Sequence, residues 1–301
     1  MYPTRLSLLC FTIAWLSAPA GVSAQSDCPR GALPAYAHND YANPHPLHDA
    51  LSLGYQGVEA DVFLVGGELR LGHDRRAAEQ GAAFEAQYLA PLRSLVARCE
   101  TLTARGRPFL LNVELKEQSR PAFDTLVALL ARYPELFAPG GNAVAGGHSA
   151  PALDIVLVGW DPLVPADGSQ MSLGRQVRLR RADGRAVDTT DPSIRLISLD
   201  YSERMAKWWM RMVPARRGRW LSTLRAVKMA CPSQRIRAYH VPVDQRIYKE
   251  LLAAGVDLIG TQSLAATARL LESSNMGAPI NASCRALPTV SGAGVGGPGA
   301  R

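Results

Sequence analysis

Val58-Glu-Ala-Asp-Val62 lies inside an apolar run that extends from Gln56 to Leu64. Its alternation has a period of two. Glu59 and Asp61 therefore share one face of a strand, while Val58, Ala60 and Val62 share the other and face a helix layer. Two carboxylates side by side repel, so a cationic group is expected between them. Three other stretches follow the same plan: Tyr36-Ala-His-Asn-Asp40, Leu71-Gly-His-Asp74 and Asn112-Val-Glu-Leu-Lys116. Each sets polar residues at or just past the end of a short apolar run. Polar groups at the ends of several different strands are the signature of a closed α/β barrel, in which one rim collects the chemistry.

The rest of the chain fits that frame. Leu33 to Ala37 reads as the first strand, Gln56 to Leu64 as the second, and Gly66-Gly67 as a hairpin turn into a return segment, Glu68 to Gly72. Helical spacing runs over Leu47–Leu53, Ala82–Arg105 and Pro121–Tyr133. Pro108–Leu115 and Asp154–Trp160 are further strands, the latter nearly all apolar, as a strand buried on both faces should be. Gln176–Arg180, with a turn at Asp183-Gly184, reads as an extra hairpin. Ile194–Leu199 is a strand, and Tyr201–Arg219 is mixed, with no separable sixth strand. Helices over Arg219–Ala230, Asp244–Ala254 and Leu264–Leu271 alternate with strands over Ile236–Val241 and Val256–Gly260. Alternation of this kind implies a parallel sheet, and the fold expected is a TIM (β/α)8-type barrel with an added hairpin.

Residues 1–24 have one charge, Arg5, an apolar run from Leu6 to Leu16 and a small-residue site at Val22-Ser-Ala24. This reads as a secretory signal peptide cleaved after Ala24, since the run is too short to span a bilayer. The mature chain is expected to be periplasmic or secreted. Residues 25–276 form one domain, close to the roughly 250 residues typical of such barrels. Residues 277–301 are rich in Gly, Ala, Pro and Ser and are expected to be a disordered tail. Of the five cysteines, Cys10 leaves with the signal. Cys28, Cys99, Cys231 and Cys284 remain, an even number that permits two disulfides of undefined pairing. None has zinc-site spacing. The net charge of +7 is mild, and no repeated basic-aromatic motif points to nucleic acid. Lys207 to Trp220 mixes Trp, Met and Arg. It suits either transient contact with a membrane surface or a core-facing helix followed by a basic loop. Nothing in the sequence speaks to oligomeric state.

Two imidazoles, three carboxylates, an amide and an ammonium at strand ends suit a divalent cation that holds a phosphodiester between a base and an acid. Glu59, Asp61 and Glu114 are candidate metal ligands, and Asn39 adds the neutral oxygen that Ca²⁺ or Mg²⁺ accepts. Lys116 is a point charge for phosphate. His38 and His73 are the candidate proton carriers. His45 and His48 are read as loop residues and His240 as a rim contact.

With these residues in hand, the chain resembles the superfamily that joins phosphatidylinositol-specific phospholipases C with glycerophosphodiester phosphodiesterases. The marks are His38, Glu59 with Asp61, His73, and Glu114 with Lys116. His38-Asn39 is similar to the His-Asn of calcium-dependent phospholipases C, whereas the glycerophosphodiesterases usually have His-Arg there. His38-Asn-Asp-Tyr41, Ile236-Arg-Ala-Tyr-His-Val-Pro242 and Gly255-Val-Asp-Leu-Ile259 look most like members named for altered inheritance of mitochondria. The resemblance implies a TIM barrel and metal-dependent hydrolysis of a small phosphodiester or phospholipid headgroup. Two rival readings of the same residues are a glycoside hydrolase using Asp61 and Glu114 as paired carboxylates, and a non-catalytic barrel that binds phosphodiesters.

Overall fold

The computed structural model describes residues 28–29, 33–99, 102–103, 107–137, 152–158, 173–178, 191, 193–206, 212–230 and 232–274. Within them, eight strands close into a parallel barrel. They are β1 (Ala35–Ala37), β2 (Gly57–Val65), β4 (Phe109–Leu115), β5 (Leu153–Val158), β6 (Gly174–Arg178), β7 (Ile194–Asp200), β8 (Arg235–Tyr239) and β9 (Leu258–Thr261). Closure comes from β1, which pairs in parallel with β9 at Tyr36–Gly260 and with β2 at Ala37–Val58. A ninth strand, β3 (Glu68–Leu71), folds back antiparallel on the outer half of β2, with Val65 opposite Glu68. Gly66 and Gly67 make that turn with φ of 59° and 85°, values at which a side chain would be strained.

The period-two reading of β2 holds. Val58, Ala60 and Val62 are buried in the main core with residues from the surrounding helices. Glu59 and Asp61 point into the barrel and are 2% and 1% exposed. The register sets Glu59 opposite Asn112 and Asp61 opposite Glu114, so neighbouring strands present their polar residues at equal heights. Beneath them Tyr36, Leu110, Val156, Leu196 and Leu258 form a separate apolar cluster inside the barrel.

Several boundaries differ from expectation. The expected helix over Ala82–Arg105 is broken: a helix over Arg75–Gln80 precedes it, a wide turn covers Glu85–Leu89, and the regular part is Ala90–Arg98. Pro91 and the bridge between Arg70 and Ala83 account for the division. The expected extra hairpin is corrected. Gly174–Arg178 pairs in parallel with β5 and β7 and is a wall strand of the barrel. The stretch searched for a sixth strand instead opens with a helix at Tyr201–Ala206 and ends in a long one at Pro214–Ala230. The turn at Asp183-Gly184 lies outside the described residues, as do the signal segment, the tail, Cys231 and Cys284.

Cys28 and Cys99 form a disulfide with Cα atoms 5.6 Å apart, which ties the N-terminal segment to the end of the Ala90–Arg98 helix. Trp220 is buried in the core, 2% exposed, so the C-terminal end of the Lys207–Trp220 stretch is core-facing. No helix among the described residues is long and apolar enough to cross a membrane.

Candidate functional site

The C-terminal rim of the barrel gathers the expected residues into one cluster. Glu59, Asp61 and Glu114 each offer a carboxylate oxygen, and these oxygens lie within 4.8 Å of one another. Lys116, one residue past β4, places Nζ 3.3 Å from Asp61 Oδ2 and 3.2 Å from Glu114 Oε1. It supplies the positive charge that paired carboxylates on adjacent strands require. Tyr41 donates its hydroxyl to Asp61 Oδ2 at 2.9 Å. The other oxygen of Asp61, Oδ1, is buried without a hydrogen-bond partner among the described residues. Burial, with Glu114 and Glu59 close by, pushes the Asp61 carboxyl up to about 6. An ionised Asp61 therefore calls for more positive charge than Lys116 provides.

Glu59 is held from all sides. Its Oε1 accepts from Arg237 at 3.0 Å and from Asn112 Nδ2 at 3.2 Å. Its Oε2 lies 3.3 Å from His38 Nε2 and accepts the Asn39 backbone N–H at 3.4 Å. Burial alone would raise its pKa, but the Arg237 charge, with the hydrogen bonds from Arg237 and the Asn39 N–H, outweighs burial and holds the carboxyl below its ordinary value. Arg237 is fixed in turn. It donates to Ser198 Oγ at 2.9 Å, and its guanidinium stacks over the rings of Tyr36 and Tyr239 at 4.7 and 5.0 Å.

His38 follows β1 directly, its N–H donating to the Thr261 carbonyl at 2.9 Å. Burial lowers its pKa, with partial opposition from Glu59, so the imidazole favours its neutral form. Asn39 takes a left-handed backbone with φ 51°. That turn aims its N–H at Glu59 and lets the chain leave the strand at once into Asp40–Ala42. Asp40 is fully buried and braces this turn. It accepts from the Leu47 N–H at 2.6 Å, from the Tyr88 hydroxyl at 3.0 Å and from Asn43 at 3.2 Å.

Of the residues expected from sequence, His38, Glu59, Asp61, Glu114 and Lys116 meet at the rim, and the Asn39 backbone joins them. His73 is exposed. The Gly72 N–H donates to the Asp61 carbonyl at 3.1 Å, which sets the backbone of His73 beside the carboxylate strand. Among the described residues its side chain makes no hydrogen bond or ion pair. Arg237, Tyr41 and Asn112 hold the carboxylates in place, and sequence reasoning assigned no such role to Arg237 or Tyr41. Arg237 could have been found from its alternation with Arg235 and Tyr239 along β8, the inward face of that strand. A groove of about 1470 Å³ lies elsewhere, lined by His45, His48, Gln87 and Arg98. None of the clustered carboxylates lines it.

Fold and rim together define an α/β barrel with an acid-rich mouth. Residues 30–107 match the family described as the AIM6-like phosphodiesterase domain. The chain is similar to an altered inheritance of mitochondria protein 6 homolog of Arthroderma benhamiae, 26% identical over 155 residues, covering 41% of this chain and 49% of that protein. The match thus spans about half the length of that curated relative. Among solved structures, a glycerophosphodiester phosphodiesterase from Agrobacterium tumefaciens superposes with a TM-score of 0.45 at 13% identity, covering 79% of this chain and 98% of that one. Tryptophan synthase from M. tuberculosis superposes with a TM-score of 0.43 at 14% identity, covering 81% and 90%.

Proposed function

We propose that this chain is an exported phosphoric diester hydrolase that works with a bound divalent cation, Ca²⁺ or Mg²⁺. One observation carries the reading: three carboxylates converge within 4.8 Å, and the most buried of them, Asp61, keeps an oxygen without a hydrogen-bond partner among the described residues. Glu59, Asp61 and Glu114 would hold the cation, with Asn39 able to add a neutral oxygen. Oxygen-only donors of this kind suit a hard cation. When bound, the cation offsets carboxylate charge and stabilises the charge that builds on phosphoryl oxygens.

The chain's own groups do the rest. Lys116 already stands between Asp61 and Glu114, and it is the ammonium at hand for a phosphoryl oxygen. His38, kept neutral by burial, takes the proton of the attacking water or neighbouring hydroxyl. Arg237 and Asn112 hold Glu59 from below and keep its second oxygen facing the mouth. His73, whose backbone lies beside Asp61, is a second candidate for proton transfer. The substrate class is a small phosphodiester or phospholipid headgroup. The Cys28–Cys99 bond suits an oxidising compartment.

The test is turnover of glycerophosphocholine, glycerophosphoinositol, phosphatidylinositol and bis-p-nitrophenyl phosphate with Ca²⁺, with Mg²⁺ and after chelation. Cation-dependent release of an alcohol is expected. Binding of a diester with no turnover under any condition would replace this proposal with a binding role, and full turnover after chelation would remove the cation.

A further inference from the structure

His240 stands at the end of β8 with chemistry that the reading above leaves unused. Its φ is 52°, a left-handed value that is uncommon outside glycine and costs on the order of 1 kcal/mol. The turn brings its ring over the mouth. The centroid lies 5.3 Å from that of His38 and 4.8 Å from that of Tyr239. His240 Nδ1 is 3.0 Å from Asp200 Oδ2. Asp200 closes the neighbouring strand β7, and its other oxygen accepts from Ser202 Oγ at 2.8 Å and from the Glu203 N–H at 3.1 Å. A carboxylate only accepts, so Nδ1 carries the hydrogen and Nε2 is the working nitrogen. Among the described residues Nε2 has no hydrogen-bond partner, and the side chain is 51% exposed.

The charged and titratable groups facing this ring are Asp200 from β7, His38 from the end of β1 and Tyr239 from β8 itself, with Glu59 of β2 and Arg237 of β8 behind His38 and Tyr239. The rings of His38 and His240 are tilted by 58°. His38 turns Nε2 inward to Glu59, and His240 turns Nδ1 outward to Asp200. One imidazole is thus committed to the inside of the mouth and the other to its rim.

We infer that His240 is a further catalytic residue of this mouth, oriented by Asp200 as a positioning residue, and that it protonates the departing alcohol of the phosphodiester. The inference rests on the phosphodiesterase reading. As the nucleophile's oxygen bonds to phosphorus, its proton passes to His38. The bond from phosphorus to the leaving oxygen breaks, and its electron pair stays on that oxygen, which takes the Nε2 proton of cationic His240. His240 ends neutral with its Nδ1–H still on Asp200, and His38 ends cationic. Exchange with water restores both.

The experiment compares two diesters on the full chain with divalent cation. Bis-p-nitrophenyl phosphate loses a stable phenolate that needs little protonation, and glycerophosphocholine loses an alkyl alcohol that needs it. His240→Ala and His240→Gln are expected to slow the alkyl substrate by about 10² or more and the aryl substrate by less than about tenfold, mainly in kcat. Asp200→Asn should show the same selectivity with a smaller loss. Unfolding temperatures of the His240 variants should stay near wild type, because the side chain is half exposed. Equal losses on both substrates, no loss, or the leaving-group signature in His73→Ala and not in His240→Ala would overturn the inference while leaving the proposed function intact. No turnover of either diester by the wild-type chain would overturn both.

Discussion

Replacing Arg237 with Met tests the electrostatic centre of the barrel. The side chains of Arg237 and Glu59 are each 3% exposed and meet at 3.0 Å. In Arg237→Met, Glu59 keeps Asn112, the Asn39 N–H and His38 as partners but loses its full positive charge. Removing one member of a buried pair costs about 3–5 kcal/mol. Loss of the stacking on Tyr36 and Tyr239 adds about 1 kcal/mol. A barrel of this size loses about 2–4 °C for each kcal/mol, so the melting temperature should fall on the order of 10–20 °C. Circular dichroism melts in chelator measure this directly. Arg237→Met with Glu59→Leu removes both charges, and it should regain at least half of the loss. Divalent cation should raise the melting temperature of Arg237→Met more than that of the wild type, because the freed carboxylate gains a new positive partner. A melt within about 2 °C of wild type, or a double variant as unstable as the two single losses added, would refute this account of the pair.

His38→Ala should lower diester turnover by about 10² to 10⁴, and Glu59→Gln should raise the cation concentration needed for half-maximal rate. Titration of rate against cation separates the two effects, and unchanged half-saturation in Glu59→Gln would exclude that residue as a ligand. Burial pushes the Asp40 carboxyl up to about 6 despite its three donors. The folded chain therefore holds a proton that the unfolded chain gives up near pH 4. Stability from this group is greatest below pH 4 and falls as pH rises towards 6, by about 3 kcal/mol in full. Melts of wild type and Asp40→Asn from pH 4 to 7 should differ by that trend, and parallel curves would refute it. Cys28→Ser opens a link between positions 71 apart and should cost up to about 4 kcal/mol on loop entropy. The same fall should follow from adding reductant to the wild type.

The carboxylate strands were legible because a polar residue at every second place in an apolar run has few explanations other than a lined interior. Glu59, Asp61, Asn112 and Glu114 all fit that rule, and the register placed them side by side. β6 was not legible. Gly174–Arg178 is short and carries Arg175, Gln176 and Arg178, and its place in the wall comes from β5 and β7 on either side. Such a segment looks like an exposed hairpin arm until its neighbours are known. Arg237 escaped for a related reason: Arg235-Ile-Arg-Ala-Tyr239 alternates like a strand with one face in water, yet a barrel buries both faces. The Asp200–His240 contact depends on Asp200 lying opposite Tyr239 across β7 and β8, a register that no local pattern encodes. The Cys28–Cys99 pairing likewise needed three dimensions.

The apolar cluster of Tyr36, Leu110, Val156, Leu196 and Leu258 has a consequence for traffic. It stoppers the barrel below Asn112 and Arg237, so the molecule is a cup and not a tube. Among the described residues, the open approach to the carboxylates is through the rim. On the proposed function a diester seated there would cover the route to Glu59 and Asp61, and the cation would bind first or travel in with the substrate. The two products would share that exit, and with His240 at the rim as the proton donor the alcohol would depart before the phosphate-bearing half. That order predicts that the phosphate-bearing product competes with substrate and that the free alcohol does so only weakly.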